Sequence, residues 1–271
     1  MIPESFDYHG PSSVDEAIGL LSDDAKLLAG GHSLIPAMKL RLSSPGALVD
    51  IGQLAELNYI REDGGAIAIG AASTHHQIES SDVVQSKASA LAQAASVIGD
   101  PQVRNKGTIG GSLAHADPAA DYPAAILALG AEIQVKGADG ERTIAADEFF
   151  VDLFLTSLAP DEIITEIRVP AAGKSAYVKF PHPASRFAVV GCAAAASGGS
   201  VKIAFTGVAN AAFRDEGIEG ALGGDLSSDS IGAAAEKAAD GAEVLTDNFA
   251  GEEYRRHLAK VYARKALSAI A

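Results

Sequence analysis

The sequence predicts an α+β fold, and three observations carry that reading. Residues 25–51 run as strand, glycine loop, helix and strand: Ala25-Lys26-Leu27-Leu28-Ala29 is a short apolar run, Gly30-Gly31-His32-Ser33 follows it, and Ala47-Leu48-Val49-Asp50-Ile51 closes the unit. Two pairs of short runs flank Asp63-Gly64-Gly65 and Asp139-Gly140, the composition of hairpin turns. After Pro170, three strand-like runs are followed by helical patterns, which is the segregated order of an α+β domain.

The remaining elements follow from pattern and punctuation. Ser12-Ser13 starts a helix over about residues 13–22, with Asp15 and Glu16 in the first turn, where they complement the helix dipole. Leu34–Leu40 is a helix whose early Pro36 suits a first turn. Tyr59–Glu62 and Ala66–Gly70 form the first hairpin, and a helix begins at Thr74. Ala88–Ile98, with Leu91, Ala94, Ala95 and Ile98 on one side, is a buried helix. Residues 101–130 open as a polar surface loop with Gly110-Gly111 and end as an Ala/Ile/Leu helix. Glu132–Lys136 and Arg142–Ile144 form the second hairpin, and Ile163–Pro170 alternates as a strand. Pro170-Ala171-Ala172-Gly173 is the best boundary in the chain. Beyond it lie strands at Ser175–Phe180, Ala188–Ala196 and Ser200–Ala209, then helices over about 227–239 and from Tyr254 to the end.

Bulk composition narrows the functional classes. The chain has 271 residues, 48% of them hydrophobic and 21% charged, enough for one large domain or two smaller ones. A formal net charge of -14, with no local basic stripe, argues against nucleic-acid binding. No apolar run reaches the ~18 residues of a membrane span. The start MIPESFDYHG lacks the basic and apolar regions of a signal peptide, so a cytoplasmic protein is expected. Cys192 is the lone cysteine, which excludes an internal disulfide and a thiolate cluster, and its apolar surroundings predict burial.

The chemistry-bearing residues gather at the two glycine loops. Backbone N–H groups converge at such loops and bind phosphate. Neither loop fits the GxGxxG or GxxxxGK[ST] fingerprints, so the residues alone imply a cleft for a phosphate-bearing ligand of another type. Asp117 and Asp121 bracket Pro118; they can accept hydrogen bonds from sugar hydroxyls, act as an acid and base, or, for Asp117, cap a helix starting at Pro118. His75-His76, His115 and His182 have no metal-ligand spacing, and no Gly-x-Ser-x-Gly elbow occurs. No catalytic or metal residue is predicted.

Ala29-Gly30-Gly31-His32-Ser33-Leu34, followed by Thr108-Ile109-Gly110-Gly111-Ser112-Leu113-Ala114-His115-Ala116-Asp117-Pro118-Ala119-Ala120-Asp121-Tyr122-Pro123, resembles the FAD-binding medium subunits of molybdenum hydroxylases, the group of aerobic carbon monoxide dehydrogenase and xanthine dehydrogenase. The resemblance covers essentially the whole chain. It departs at His32, where relatives often carry glutamine or asparagine, and at Ser112, where asparagine is frequent; neither change removes a backbone donor. The resemblance implies a vanillyl-alcohol-oxidase-like FAD-binding domain over 1–170, with subdomains of about 1–55 and 56–170, and a C-terminal domain over 171–271 of three antiparallel strands and helices. Ala29–Leu34 and Thr108, Gly110, Gly111 and Ser112 would hold the FAD diphosphate through backbone N–H groups and hydroxyls. Asp121 and Asp117 would contact its sugar portion, Gln102, Val103 and Asn105 would approach the flavin, and Leu158 and Lys179 would be further contacts. A cation such as Lys179 beside the flavin suits its anionic reduced form, though a solvated lysine on an edge strand is the plain alternative. The implied partners are a molybdenum-cofactor large subunit and a [2Fe-2S] small subunit, in a dimer of heterotrimers. A stand-alone FAD-dependent oxidoreductase and a non-enzymatic nucleotide-binding scaffold are the alternatives.

Overall fold

The computed structural model describes residues 1–271. The chain opens with a three-stranded parallel sheet ordered β1-β3-β2, built from β1 (Asp7–His9), β2 (Ala25–Leu28) and β3 (Ala47–Asp50). Helix α1 (Val14–Gly19) precedes β2, and α2 (Leu34–Lys39) makes the crossover from β2 to β3. Ser13 caps α1, its side chain accepting from the Glu16 N–H. Strand β1 lacks apolar periodicity and is absent from the sequence reading; parallel pairing to β3 and a 2.7 Å hydrogen bond from Tyr8 to Asp50 hold it instead.

A five-stranded antiparallel sheet follows, ordered β4-β5-β10-β6-β7. Both predicted hairpins lie in it: β4 (Ile60–Asp63) with β5 (Ala66–Gly70). Between β5 and the second hairpin come α3 (His75–Ser80), α4 (Asp82–Lys87), α5 (Ser89–Ser96), α6 (Pro101–Arg104), α7 (Ile109–His115) and α8 (Tyr122–Leu129). The second hairpin is β6 (Glu132–Gly137) with β7 (Gly140–Ala145); α9 (Ala146–Phe149) and a ribbon of β8 (Phe150–Asp152) and β9 (Leu155–Thr156) lead to β10 (Ile163–Pro170). The stretch expected to open as a surface loop at 101–115 is instead two short capped helices. Asp100 accepts from the Val103 N–H and Thr108 from the Gly111 N–H, so caps start helices where glycine and polar content hid them.

The third sheet is β11 (Lys174–Pro181), β12 (Ala188–Ser197), β13 (Ser200–Thr206) and β14 (Phe213–Arg214), antiparallel throughout. The three long strands are those read from sequence; the two-residue β14 makes the sheet four-stranded and is too short to leave a pattern. Helices α10 (Glu216–Leu222), α11 (Ser228–Ala235) and α12 (Glu252–Ser268) cover one face.

Helix α8 joins the two halves. All eight of its residues are buried, as expected of a helix apolar all round. It packs against α5 on one side and β12 and β13 on the other. Period-2 alternation along β12 supplies both layers: Ala193 and Ala195 belong to the core shared with α8, while Cys192 and Ala194 face the core under α12. The alanines allow close approach from both sides.

Arg255 on α12 is buried, and its guanidinium donates to the Val189 and Gly207 carbonyls at 2.6 Å each and pairs with Asp247. Replacement by methionine fills similar space but removes the donor to the Val189, Gly207 and Ala250 carbonyls and the cation beside Asp247. Arg255→Met is therefore expected to lower unfolding free energy by about 3 kcal/mol, read as a lower denaturation midpoint at unchanged denaturant slope.

Candidate functional site

The two glycine loops meet backbone to backbone. A side chain at Gly30 would place Cβ 2.6 Å from the Gly107 Cα and 2.6 Å from the Lys106 carbonyl oxygen, so only glycine permits the contact. The second loop is in turn stitched to the end of β5: the His75 N–H donates to the Gly107 carbonyl, Ile109 to Ser73 and Gly110 to Ala71, at 2.9–3.1 Å. The loops wall a cleft of about 700 Å³, with further walls from residues 158–164 and from Ser185, Arg186 and Phe187.

The backbone donors of the two loops are used differently. In the second loop, Ile109 and Gly110 donate as above, Gly111 donates to the Thr108 hydroxyl and Ser112 to the Thr108 carbonyl. The N–H groups of Ile109, Gly110, Gly111 and Ser112 are thus used within the protein, while that of Thr108 has no protein acceptor. In the first loop, the N–H groups of Gly30, Gly31, His32, Ser33 and Leu34 have no protein acceptor, and all five residues line the cleft. Ser33 sits at the start of α2 without a capping bond from its side chain. Five successive unpaired donors form an anion-binding cradle.

The Asp117–Asp121 turn is the dock for the C-terminal sheet. The Gly207 N–H donates to the Pro118 carbonyl at 2.6 Å, Ala188 to Ala119 at 3.1 Å, and the Thr206 hydroxyl lies 2.6 and 2.7 Å from the Pro118 and Ala120 carbonyls. Asp117 lines the cleft and accepts from the Ala119 N–H at 2.8 Å; it closes a turn and does not cap a helix, since α8 begins at Tyr122. Asp121 is 5% exposed, with Tyr177 donating to it at 2.5 Å and Lys179 at 2.9 Å. Burial pushes the Asp121 carboxyl up to about 6, opposed by Lys179 and Tyr177.

Lys179 also donates to the Val97 carbonyl at 2.9 Å, and its side chain is 5% exposed. Its ammonium is held in a buried pair with Asp121, which itself lines the cleft, so it is not the solvated lysine that the sequence allowed. Gln102 and Asn105 lie outside the cleft wall: both are exposed on the α6 turn, where Asn105 bonds the Pro101 carbonyl. The structure brings together Ala29 through Leu34, Val103, Thr108, Gly110, Gly111, Ser112, Asp117, Asp121 and Leu158.

Sequence reasoning missed three contributors. Phe187 lines the rim while 47% exposed, beside Arg186 in the left-handed region at φ 63°. Gly107 supplies the seat for Gly30. His75 lines the cleft at 5% exposure, its Nδ1 3.1 Å from the Tyr122 hydroxyl; burial lowers its pKa to about 4, helped by the His32 and Arg104 charges. A signal existed for His75, since Thr74 and Gln77 form a capping box that fixes its place in the first turn of α3. No group of three or more His, Cys, Asp or Glu side chains comes together to hold a metal, and no helix is long and apolar enough to cross a membrane.

A cleft of this size, with a donor cradle at one side and an apolar rim, fits an extended phosphate-bearing cofactor. Comparison with known proteins identifies which. Residues 4–172 match the family described as the FAD binding domain in molybdopterin dehydrogenase, and 175–270 match the CO dehydrogenase flavoprotein C-terminal domain. The chain is 42% identical to the carbon monoxide dehydrogenase medium chain of Hydrogenophaga pseudoflava, over 99% of this chain and 98% of the relative. It is 37% identical to the glyceraldehyde dehydrogenase medium chain of Sulfolobus acidocaldarius, over 100% of both. The solved carbon monoxide dehydrogenase from H. pseudoflava superposes at TM-score 0.94 and 43% identity, covering 100% of this chain and 98% of its own; quinoline 2-oxidoreductase from Pseudomonas putida 86 superposes at 0.93 and 29%, covering 100% and 98%. The chain belongs to the FAD-binding medium subunits of the carbon monoxide dehydrogenase and xanthine dehydrogenase family, an oxidoreductase subunit whose cofactor is FAD.

His75 and Asp121 give opposing pH dependences. His75 is depressed from 6.5 to about 4, so its stabilisation is present above pH 6.5 and lost as pH falls toward 4. Asp121 is raised from 3.8 to about 6, so its contribution is present below 3.8 and lost as pH rises through 6. Over pH 4–6 the two contributions therefore run in opposite directions. Relative to the parent chain, His75→Gln should gain stability as pH falls from 6 to 4 and Asp121→Asn should lose it; denaturant titrations at four pH values between those limits check both signs.

Proposed function

We propose that the chain is the FAD-carrying medium subunit of a molybdenum hydroxylase, in which electrons from [2Fe-2S] clusters reach FAD and leave to an external acceptor. The partners in this reading are a molybdenum-cofactor large subunit and a [2Fe-2S] small subunit, assembled as a dimer of heterotrimers. Support comes from the family and from relatives that share nearly full length with this chain while being named for different reactions, carbon monoxide and glyceraldehyde among them. A chain retained across such substrates suits a common electron path, with substrate choice made in the large subunit.

The observation that carries the cofactor reading is the row of unpaired N–H groups from Gly30 to Leu34 along the cleft. In this assignment those donors hold the diphosphate, the Ser33 and Ser112 hydroxyls add polar contacts, and Asp117 faces the sugar portion. Leu158 and Phe187 exclude water from the apolar end. Bound FAD supplies a carrier that accepts and releases electrons singly or in pairs. The chain's own residues bind, orient and shield it. The division into a FAD-binding domain over 1–170, with subdomains of about 1–55 and 56–170, and a C-terminal domain over 171–271 is part of the same reading; it fits the three separate sheets.

Gly111 offers a test. It lines the cleft, and a Cβ there would meet only the Thr108 hydroxyl, at 2.9 Å, whereas one at Gly110 would strike Ala71 and disturb the fold. The purified full chain should bind FAD and release FAD, not FMN, on denaturation. Gly111→Val should lower retained flavin at least tenfold, about 1.4 kcal/mol or more in binding, with the flavin-free chain still unfolding in one cooperative transition. Full flavin content in that variant would reject this cleft as the site.

A further inference from the structure

His75 presents a ring nitrogen with nothing in the protein to bond. The side chain lines the cleft and is 95% enclosed, Nδ1 faces the Tyr122 hydroxyl at 3.1 Å, and Nε2 has no hydrogen-bond partner. Nε2 lies over the Cα of Gly107, close enough that a Cβ on Gly107 would fall 2.5 Å from it, at the junction where Gly30 presses on the same residue. The nitrogen thus sits where both glycine loops meet, next to the unpaired donors of the first loop.

The tautomer follows from Tyr122. Its phenol is buried, burial raises its pKa, and Nδ1 of His75 is its sole hydrogen-bond partner. If Nδ1 carried the imidazole proton, the phenol proton would have no acceptor. A buried donor left unpaired costs more than an unused lone pair on a phenol oxygen. The phenol therefore donates to Nδ1, and in a neutral ring the proton resides on Nε2. What remains is a fixed, uncharged N–H donor on the cleft wall. The adjoining glycines add no side chain that could accept from it.

We propose that His75 is a cofactor-binding residue, donating a hydrogen bond from Nε2–H to an oxygen of the phosphate–ribityl chain of FAD. The assignment rests on the reading that this cleft holds FAD. It gives the conformation of α3 a purpose: the Thr74–Gln77 capping box sets the first turn, and the backbone N–H of His75 is tied to the Gly107 carbonyl, so ring and loop move as one unit.

The test uses the full chain stripped of flavin and titrated with FAD, following flavin fluorescence, with His75→Phe, His75→Gln and Gly111→Val in parallel. His75→Phe keeps the ring volume and removes the donor; it should weaken FAD binding about tenfold, the value of one hydrogen bond to a charged or polar acceptor. His75→Gln restores an N–H near the Nε2 position and should recover most of that loss. Nitrogen-15 NMR of the parent chain should show the Nε2-protonated neutral tautomer before FAD is added, and a downfield move of that N–H on addition. If Gly111→Val loses FAD while His75→Phe binds like the parent, the role of His75 is wrong and the site stands. If Gly111→Val also binds like the parent, the site itself is wrong. Should His75→Phe fail to fold, the parent spectrum decides: an Nε2 signal unmoved by FAD overturns the proposal.

Discussion

The contact between Gly30 and Gly107 is the constraint on which the cleft depends. The first loop leaves the parallel sheet at the end of β2, and the second is bonded to the end of β5 in the antiparallel sheet, so two separately built units share one wall. Their backbones approach to a distance that no side chain allows. Holding the first loop there also keeps five N–H groups out of any ladder. Gly30, Gly31 and Leu34 are half-buried and His32 and Ser33 exposed, so water serves these donors until an anion displaces it.

The C-terminal sheet is part of the site although it supplies few atoms to it. Through Thr206, Gly207 and Ala188 it grips the Asp117–Asp121 turn, and through Tyr177 and Lys179 it neutralises Asp121. Gly191 makes this possible, because a Cβ there would fall 2.3 Å from the Tyr177 hydroxyl. Asp121 therefore serves here as a pin between the halves. Asp121 reaches the cleft only at its edge, its oxygens occupied by partners across the interface.

The long elements and the glycine loops were legible because their signals are local: period-2 runs beside Asp-Gly turns, an all-apolar α8, glycine pairs after a strand. The family resemblance added the cofactor. What could not be read was which donors the fold itself consumes. Thr108-Ile109-Gly110-Gly111 and Gly30-Gly31-His32-Ser33 look alike as strings, yet Ser73, Ala71 and Thr108 bond three N–H groups of one and nothing bonds those of the other. The partners of Lys179 were hidden for the same reason, since Asp121 and Val97 lie 58 and 82 residues away. Short elements such as β1 and β14 owe their existence to pairing across distance and leave no periodicity.

Three titratable groups on the cleft wall, His75, Asp121 and Glu162, are committed to the protein itself. His75 is held neutral by burial. Asp121 is bound by Tyr177 and Lys179, and Glu162 is paired with Arg142, which keeps its carboxyl below the usual range. Acid–base catalysis needs a group whose proton can move within reach of substrate, and these side chains are instead fixed as donors, acceptors or ion pairs. Such a wall suits a site that keeps a cofactor in place while the charge that moves is electronic.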